Sequence, residues 1–236
     1  KVNPNLNRKM IVDEILGSPL LFKPGEKVKY SDLGIIVLTD IISMVSRREL
    51  DDLAESWIYK PLGMESTFYN PGEEFLNRVV PTENDDYFRK KLLKGIVHDE
   101  NAFLMDGISG HAGLFSTASD IGRYSKMILD GGVWCGSRYM NSNTINHFTT
   151  KHDKKINSDR TIGWDTPSMN GKSSAGDYFS DGSFGHLGFT GTSLWIDPNQ
   201  EIIVVLLTNR VYPSRDNPGM YQVRRKFHTE VMKAIM

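Results

Sequence analysis

Between Phe184 and Thr208 the chain alternates short apolar runs with turn chemistry. Phe184 to Phe189, Thr192 to Ile196 and Ile202 to Thr208 read as strands, and Asp197-Pro198-Asn199-Gln200 is a hairpin turn between the last two. Strands joined this tightly are antiparallel neighbours, because a parallel pair needs a long crossover. Thr161-Ile162-Gly163-Trp164 is a further strand candidate. Met220 to Met236 follows as an amphipathic helix with Val223, Phe227, Val231 and Ile235 at helical spacing. The block Gly185-His186-Leu187-Gly188-Phe189-Thr190-Gly191-Thr192 is unusual for a strand. Glycine there is costly and marks a bulge or a close approach to the backbone, so this block is expected to be an active-site edge strand.

Helical patterns dominate upstream. Asn7 to Leu16 reads as a helix capped by Asn7, with Met10, Ile11, Ile15 and Leu16 on one side and Gly17-Ser18-Pro19 ending it. Pro24-Gly25 marks a turn. Leu33 to Ser46 is apolar enough to predict a buried helix. Leu50 to Ile58 is a second helix, closed by Lys60-Pro61-Leu62-Gly63-Met64, and Thr67-Phe68-Tyr69 is extended. Residues 71–107 are polar and irregular, which points to functional surface. Ala118 starts another helix, with Thr117 or Ser119 as cap and Gly131-Gly132 as stop, and Asn141 to Phe148 is helical. Helices followed by consecutive antiparallel strands and a closing helix give an α+β class: a sheet with helices on its faces plus a helical lobe, about 30–160, with terminal strands and helix over about 161–236.

The 236 residues carry a formal net charge of −1, and the basic groups are short and scattered, so no nucleic-acid footprint is expected. No run reaches membrane-spanning length. The single cysteine, Cys135, cannot form an internal disulfide and has no histidine near it in sequence. His147 and His152 are five apart and flank a polar turn, so no metal site and no cofactor are expected. The opening Lys1-Val2-Asn3-Pro4 looks like the middle of a protein, which leaves a leader or an upstream domain open.

Two short segments invite chemistry. Tyr30-Ser31-Asp32 stands just before the apolar helix; Tyr30 there can act as a general base, and the ordinary alternative is a helix cap made by Ser31 or Asp32. His186-Leu187-Gly188 can offer an imidazole to a substrate or proton relay, and the backbone N–H beyond it can serve an oxyanion. The ordinary alternative for the second segment is a core histidine on a hairpin.

Taken in order, these segments resemble the serine β-lactamase and penicillin-binding-protein family, in its class C, esterase and D-Ala-D-Ala peptidase branch. That family carries Ser-x-x-Lys, then Tyr-x-Asn, then Lys/His-x-Gly on an edge strand. Tyr30-Ser31-Asp32 matches the second element with Asp32 in place of Asn, and His186-Leu187-Gly188 matches the third. Phe22-Lys23-Pro24-Gly25, Pro61-Leu62-Gly63-Met64-Glu65-Ser66-Thr67 and Gly110-His111-Ala112-Gly113-Leu114-Phe115-Ser116-Thr117-Ala118-Ser119-Asp120 resemble the family's other signatures.

The resemblance implies a β-lactamase/transpeptidase-like fold whose front part lies outside this chain, since no Ser-x-x-Lys precedes Tyr30. It implies Tyr30 as general base and His186 as a substrate anchor and proton-network residue. It also implies Asp32, His111 and Gly188 against substrate, and the Phe189 N–H as an oxyanion donor. Asp32 only accepts hydrogen bonds, whereas an amide also donates. The implied activity is acyl-enzyme hydrolysis of a peptidoglycan peptide, a β-lactam or a small ester outside the cytoplasm, with fusion to another wall-active domain as one arrangement. A non-catalytic relative that binds wall peptides or a partner is the alternative. Tyr30 and His186, remote in sequence, are expected to serve one cavity.

Overall fold

A computed structural model describes residues 6–151, 158–168 and 173–236. The Lys1 to Pro4 opening, His152 of the histidine pair and residues 169–172 lie outside these. The chain divides into two compact units: residues 1–120 with 211–215, and residues 121–210 with 216–236.

The first unit begins with α1 (Arg8–Gly17), whose cap Asn7 accepts from the Met10 N–H at 3.1 Å. Its packed residues are Ile11 and Val12; Met10 and Leu16, expected on the buried side, are exposed. The Pro24-Gly25 turn forms as expected: the Glu26 N–H reaches the Lys23 carbonyl at 3.2 Å, and Gly25 adopts φ 84°, which glycine tolerates without strain. Helix α2 (Asp32–Ser46) follows. It is not the buried helix its composition predicts. Ile36 and Thr39 face inward, while Leu38, Ile41, Met44 and Val45 are exposed. Within the unit, α2 meets α1 and α3 (Leu50–Ala54).

The second expected helix is composite. Helix α3 runs through a single π turn, Glu55–Tyr59, into α4 (Lys60–Leu62). The widened turn ends two residues before Pro61, which has no N–H to offer a helical ladder. Gly63 ends the helix at φ 66°. Strand β1 (Phe68–Tyr69), β2 (Asn84–Asp85), β3 (Lys91–Leu92), α5 (Glu100–Leu104) and β4 (Leu114–Phe115) complete the unit. β1 pairs antiparallel with β4, and β2 with β3.

The polar 71–107 stretch is ordered by buried charge as well as by the burial of Leu93, Val97, Ala102 and Met105. Asp85 accepts from the backbone N–H groups of Tyr87, Phe88 and Arg89 and pairs with the Arg89 guanidinium at 2.6 Å. Arg89 donates onward to the carbonyls of Val97 and His98. Glu83 takes His98 on one side and Arg215 on the other. Such a network adds little net stability when whole, but losing one member strands the others without solvent.

Helix α6 (Ala118–Leu129) begins in the first unit, with Thr117 accepting from the Asp120 N–H, and continues into the second. There follow β5 (Val133–Trp134), β6 (Ser137–Arg138) and α7 (Ser142–Thr149), which is capped by Asn141. The main sheet is β7 (Phe184–Leu187), β8 (Ser193–Asp197) and β9 (Ile202–Leu206), antiparallel in that order. The expected strand at Thr161–Trp164 is instead a tight turn. Gly163 adopts φ 86°, and only isolated bridges join Asp165 to Arg160 and to Gly185.

Helix α8 (Met220–Ile235) packs on the sheet through Met232, which joins Trp195, Val204, Phe179 and Ala175 in one cluster. Each large side chain so buried is worth about 1.5–3 kcal/mol. The helix turns a different face inward from the one its apolar spacing predicts. Met220, Arg224, His228 and Met232 are buried, Phe227 and Val231 flank the cluster, and Val223 and Ile235 are exposed.

Candidate active site

Tyr30 is a half-exposed residue immediately before α2. Ser31 caps that helix, its hydroxyl accepting the Gly34 N–H at 3.3 Å, and Asp32 is the first helical residue. The helix cap that this motif offers is therefore formed by Ser31. It also fixes the backbone that carries Tyr30 and Asp32 and places both at the positive end of the helix.

The glycine-rich segment around His111 docks on the same helix. The Gly110 N–H donates to Thr39 Oγ1 at 2.9 Å, and a Cβ at Gly110 would meet that oxygen at 2.8 Å. His111 is held at both ring nitrogens: Nδ1 to the Ser109 hydroxyl and Nε2 to Asp99 Oδ1, each at 2.8 Å. A carboxylate only accepts, so Nε2 carries the proton and Ser109 donates to Nδ1. Burial pushes the Asp99 carboxyl up, but its bonds to His111 and to the Ala102 N–H outweigh that and hold it below the usual range. With the His111 side chain 3 % exposed and Ser109 buried, the Asp99–His111–Ser109 chain is an internal brace.

The other predicted residues lie together in the second unit. His186 sits on β7 opposite Leu194. Its Nδ1 lies 2.9 Å from the Leu187 carbonyl, so Nδ1 bears the proton; Nε2 then accepts from Arg160 Nη2 at 3.4 Å. Arg160 also pairs with Asp165. Gly185 lies against its partner strand so closely that a Cβ would meet the Leu194 carbonyl at 2.2 Å.

Gly188 and Phe189 begin the turn that leads into β8. Every carbonyl of this turn is tied. Gly188 O accepts from Arg224 and from the Gly191 N–H. Phe189 O accepts from Arg210 Nε at 2.7 Å, and Thr190 O from the Arg210 N–H at 2.8 Å. Gly191 O takes the Thr208 hydroxyl at 2.6 Å, and Thr192 O takes Arg224 Nη2 at 2.8 Å. Phe189 is 59 % exposed, with the Arg210 guanidinium 4.2 Å from its ring centroid. Arg210 and Arg224 carry no signal in local sequence, because nothing near them distinguishes an arginine that reaches back to a hairpin from a solvated one.

Among the described residues no group of three or more His, Cys, Asp or Glu side chains gathers as a metal would require, and no helix is long and apolar enough to cross a membrane.

The family profile described as Beta-lactamase matches residues 2–228. Among curated proteins, one from Escherichia coli (strain K12) named "Putative D-alanyl-D-alanine carboxypeptidase" is 33 % identical, over 89 % of this chain and 52 % of its own length. The chain thus spans about half the length of the curated relatives it matches. Among solved structures, a penicillin-binding protein homologue from Caulobacter crescentus aligns with a TM-score of 0.69 at 14 % identity, over 97 % of this chain and 66 % of its own. A penicillin-binding protein from Bacillus halodurans aligns with a TM-score of 0.64 at 17 % identity, over 98 % and 63 %. At these identities the structural likeness speaks for the fold, a β-lactamase/transpeptidase-like α+β arrangement.

Proposed function

Because the chain belongs to the beta-lactamase family, we propose that it forms the rear part of a serine hydrolase that cleaves an amide or ester through an acyl-enzyme. In this reading Tyr30 is the general base, Asp32 accepts a hydrogen bond from the substrate, and His186 anchors substrate and holds the proton network. Gly188 lets substrate approach the backbone, the Phe189 N–H stabilises the oxyanion, and His111 shapes the substrate side of its loop. The Ser-x-x-Lys pair is supplied by polypeptide outside these residues, since no serine in the chain is followed three places later by lysine. The substrate class is a D-alanyl-terminated wall peptide or a related amide, met outside the cytoplasm; the names borne by the curated relatives favour it.

The observation that carries the proposal is the tied turn after β7. A trans peptide sets its N–H opposite its C=O, so carbonyls held back against Arg210 and Arg224 turn the adjoining amides the other way, as an oxyanion donor requires. A fluorescent penicillin and a fluorophosphonate probe test it. The full-length protein is expected to be labelled on a serine outside residues 1–236, and the 236-residue chain alone to take no label. A labelled serine within the chain would refute the assignment. A full-length protein that binds wall peptide but takes neither probe would point to a non-catalytic binder.

A further inference from the structure

Helix α8 carries a buried arginine on the face it turns to the sheet. Arg224 is 8 % exposed, and its Nη2 donates to both Gly188 O and Thr192 O, the two ends of the turn after β7. No ion pair joins it to a carboxylate among the described residues. Its Nε is buried with no hydrogen-bond partner. Burying a guanidinium this way is costly, and two carbonyls of a single hairpin are what it binds.

The peptide between Gly188 and Phe189 is a rigid plane whose oxygen and N–H point in opposite directions. Holding the Gly188 oxygen toward α8 therefore fixes the direction of the Phe189 N–H. On the other side of Phe189, Arg210 Nε holds the next carbonyl and so fixes the Thr190 N–H. Gly188 leaves little slack, since a Cβ there would lie 2.1 Å from Thr192 Oγ1.

We propose that Arg224, assisted by Arg210, is a positioning residue that locks the Gly188–Thr192 turn so that the Phe189 N–H is preset for the developing oxyanion. This rests on the hydrolase reading above. A preset donor stabilises the transition state more than the ground state. Loss of Arg224 should therefore lower the maximal acylation rate and leave the half-saturating substrate concentration nearly unchanged.

The test uses full-length protein with Arg224→Met, Arg224→Lys and, as a variant at a half-exposed site, Arg210→Lys. Amide hydrogen exchange is followed residue by residue, together with acylation kinetics with a chromogenic ester. In R224M, exchange at Gly188 and Gly191, whose N–H groups close the turn on the Thr192 and Gly188 carbonyls, is expected to rise about 10-fold or more while β8, β9 and α8 stay protected. The maximal acylation rate is expected to fall about 10-fold or more. R224K should restore part of both, because an ammonium still donates to a carbonyl, and R210K should show the same two effects more weakly. Exchange that rises evenly across the sheet and α8, or a loosened turn with unchanged acylation, would overturn the proposal. Absence of acylation in the unsubstituted protein would count against the hydrolase reading, whereas the exchange measurement reads the clamp by itself.

Discussion

The Asp120 carboxylate accepts the Thr67 hydroxyl at 2.9 Å, across 53 positions of sequence. The same oxygen takes the Ser66 N–H at 2.8 Å, and Thr67 Oγ1 also lies 2.7 Å from Ser116 Oγ. Two sequence signatures, Pro61 to Thr67 and Gly110 to Asp120, are thereby one structural joint: the polar contacts lock the register in which β1 meets β4. The joint's acid, alcohols and small residues are needed because Asp120 and Thr67 are both buried and must satisfy one another.

Asp120→Ala is expected to destabilise the protein by about 1–3 kcal/mol, because it takes from the half-buried Ser66 N–H and the buried Thr67 hydroxyl the acceptor they share. Asp120→Asn should cost less, since its amide oxygen can still accept. Urea unfolding of the two variants measures both, and a loss in the alanine variant under about 0.5 kcal/mol would contradict the joint.

His228 introduces a pH dependence. It is fully buried in α8 beside Ser193, and burial followed by the charge of Arg224 pushes its pKa down to about 4. The unfolded chain takes up that proton near pH 6.5, so the folded state binds fewer protons between the two values. Stability is therefore fully present above about pH 6.5 and falls as the pH drops toward 4, by about 3 kcal/mol in total. His228→Gln should flatten the stability–pH curve over this window, as read by thermal melts at a series of pH values.

Asp99 serves two neighbours at once. It caps α5 through the Ala102 N–H at 2.8 Å and fixes the His111 ring. Asp99→Ala should cost about 1–2 kcal/mol for the cap and free the His111 ring to turn. The tautomer is then no longer dictated, which the ring nitrogen shifts in NMR spectra report. A His111 signal unchanged in D99A would show that Ser109 alone sets the ring.

Two glycines should respond in opposite directions. Gly185→Ala drives a Cβ to 2.2 Å from the Leu194 carbonyl and 2.6 Å from the Trp195 ring, so the β7–β8 pairing must shift and stability should fall by about 2 kcal/mol or more. Gly122 lies in α6 with open space around it, and Gly122→Ala should stabilise by about 0.5–1 kcal/mol. Denaturation midpoints of the pair decide this.

Turn and cap chemistry was legible in the residues, because it is local. Asn7, Ser31 and Asn141 cap the helices that follow them, and Pro24-Gly25 and Gly63 supply the backbone angles their positions require. The order of the terminal strands was equally readable, since short connections leave consecutive strands no choice but to pair antiparallel. The motif at Tyr30 and the one at His186 were visible for the same reason, as short runs of distinctive residue types.

Whatever depends on partners distant in the chain was not readable. Apolar spacing in α8 pointed to Val223 and Ile235, yet the fold turns Arg224 and His228 inward, because a hairpin with carbonyls to satisfy and Ser193 lie on that side. The apolar run of α2 promised burial, and packing buried Ile36 and Thr39 while leaving Leu38, Ile41, Met44 and Val45 exposed. Thr161 to Trp164 had strand-like residues, but Gly163 folds them into a turn. Periodicity reports how much apolar surface an element carries, while the face that goes inside is chosen by the polar groups it must also satisfy, and those come from elsewhere in the chain.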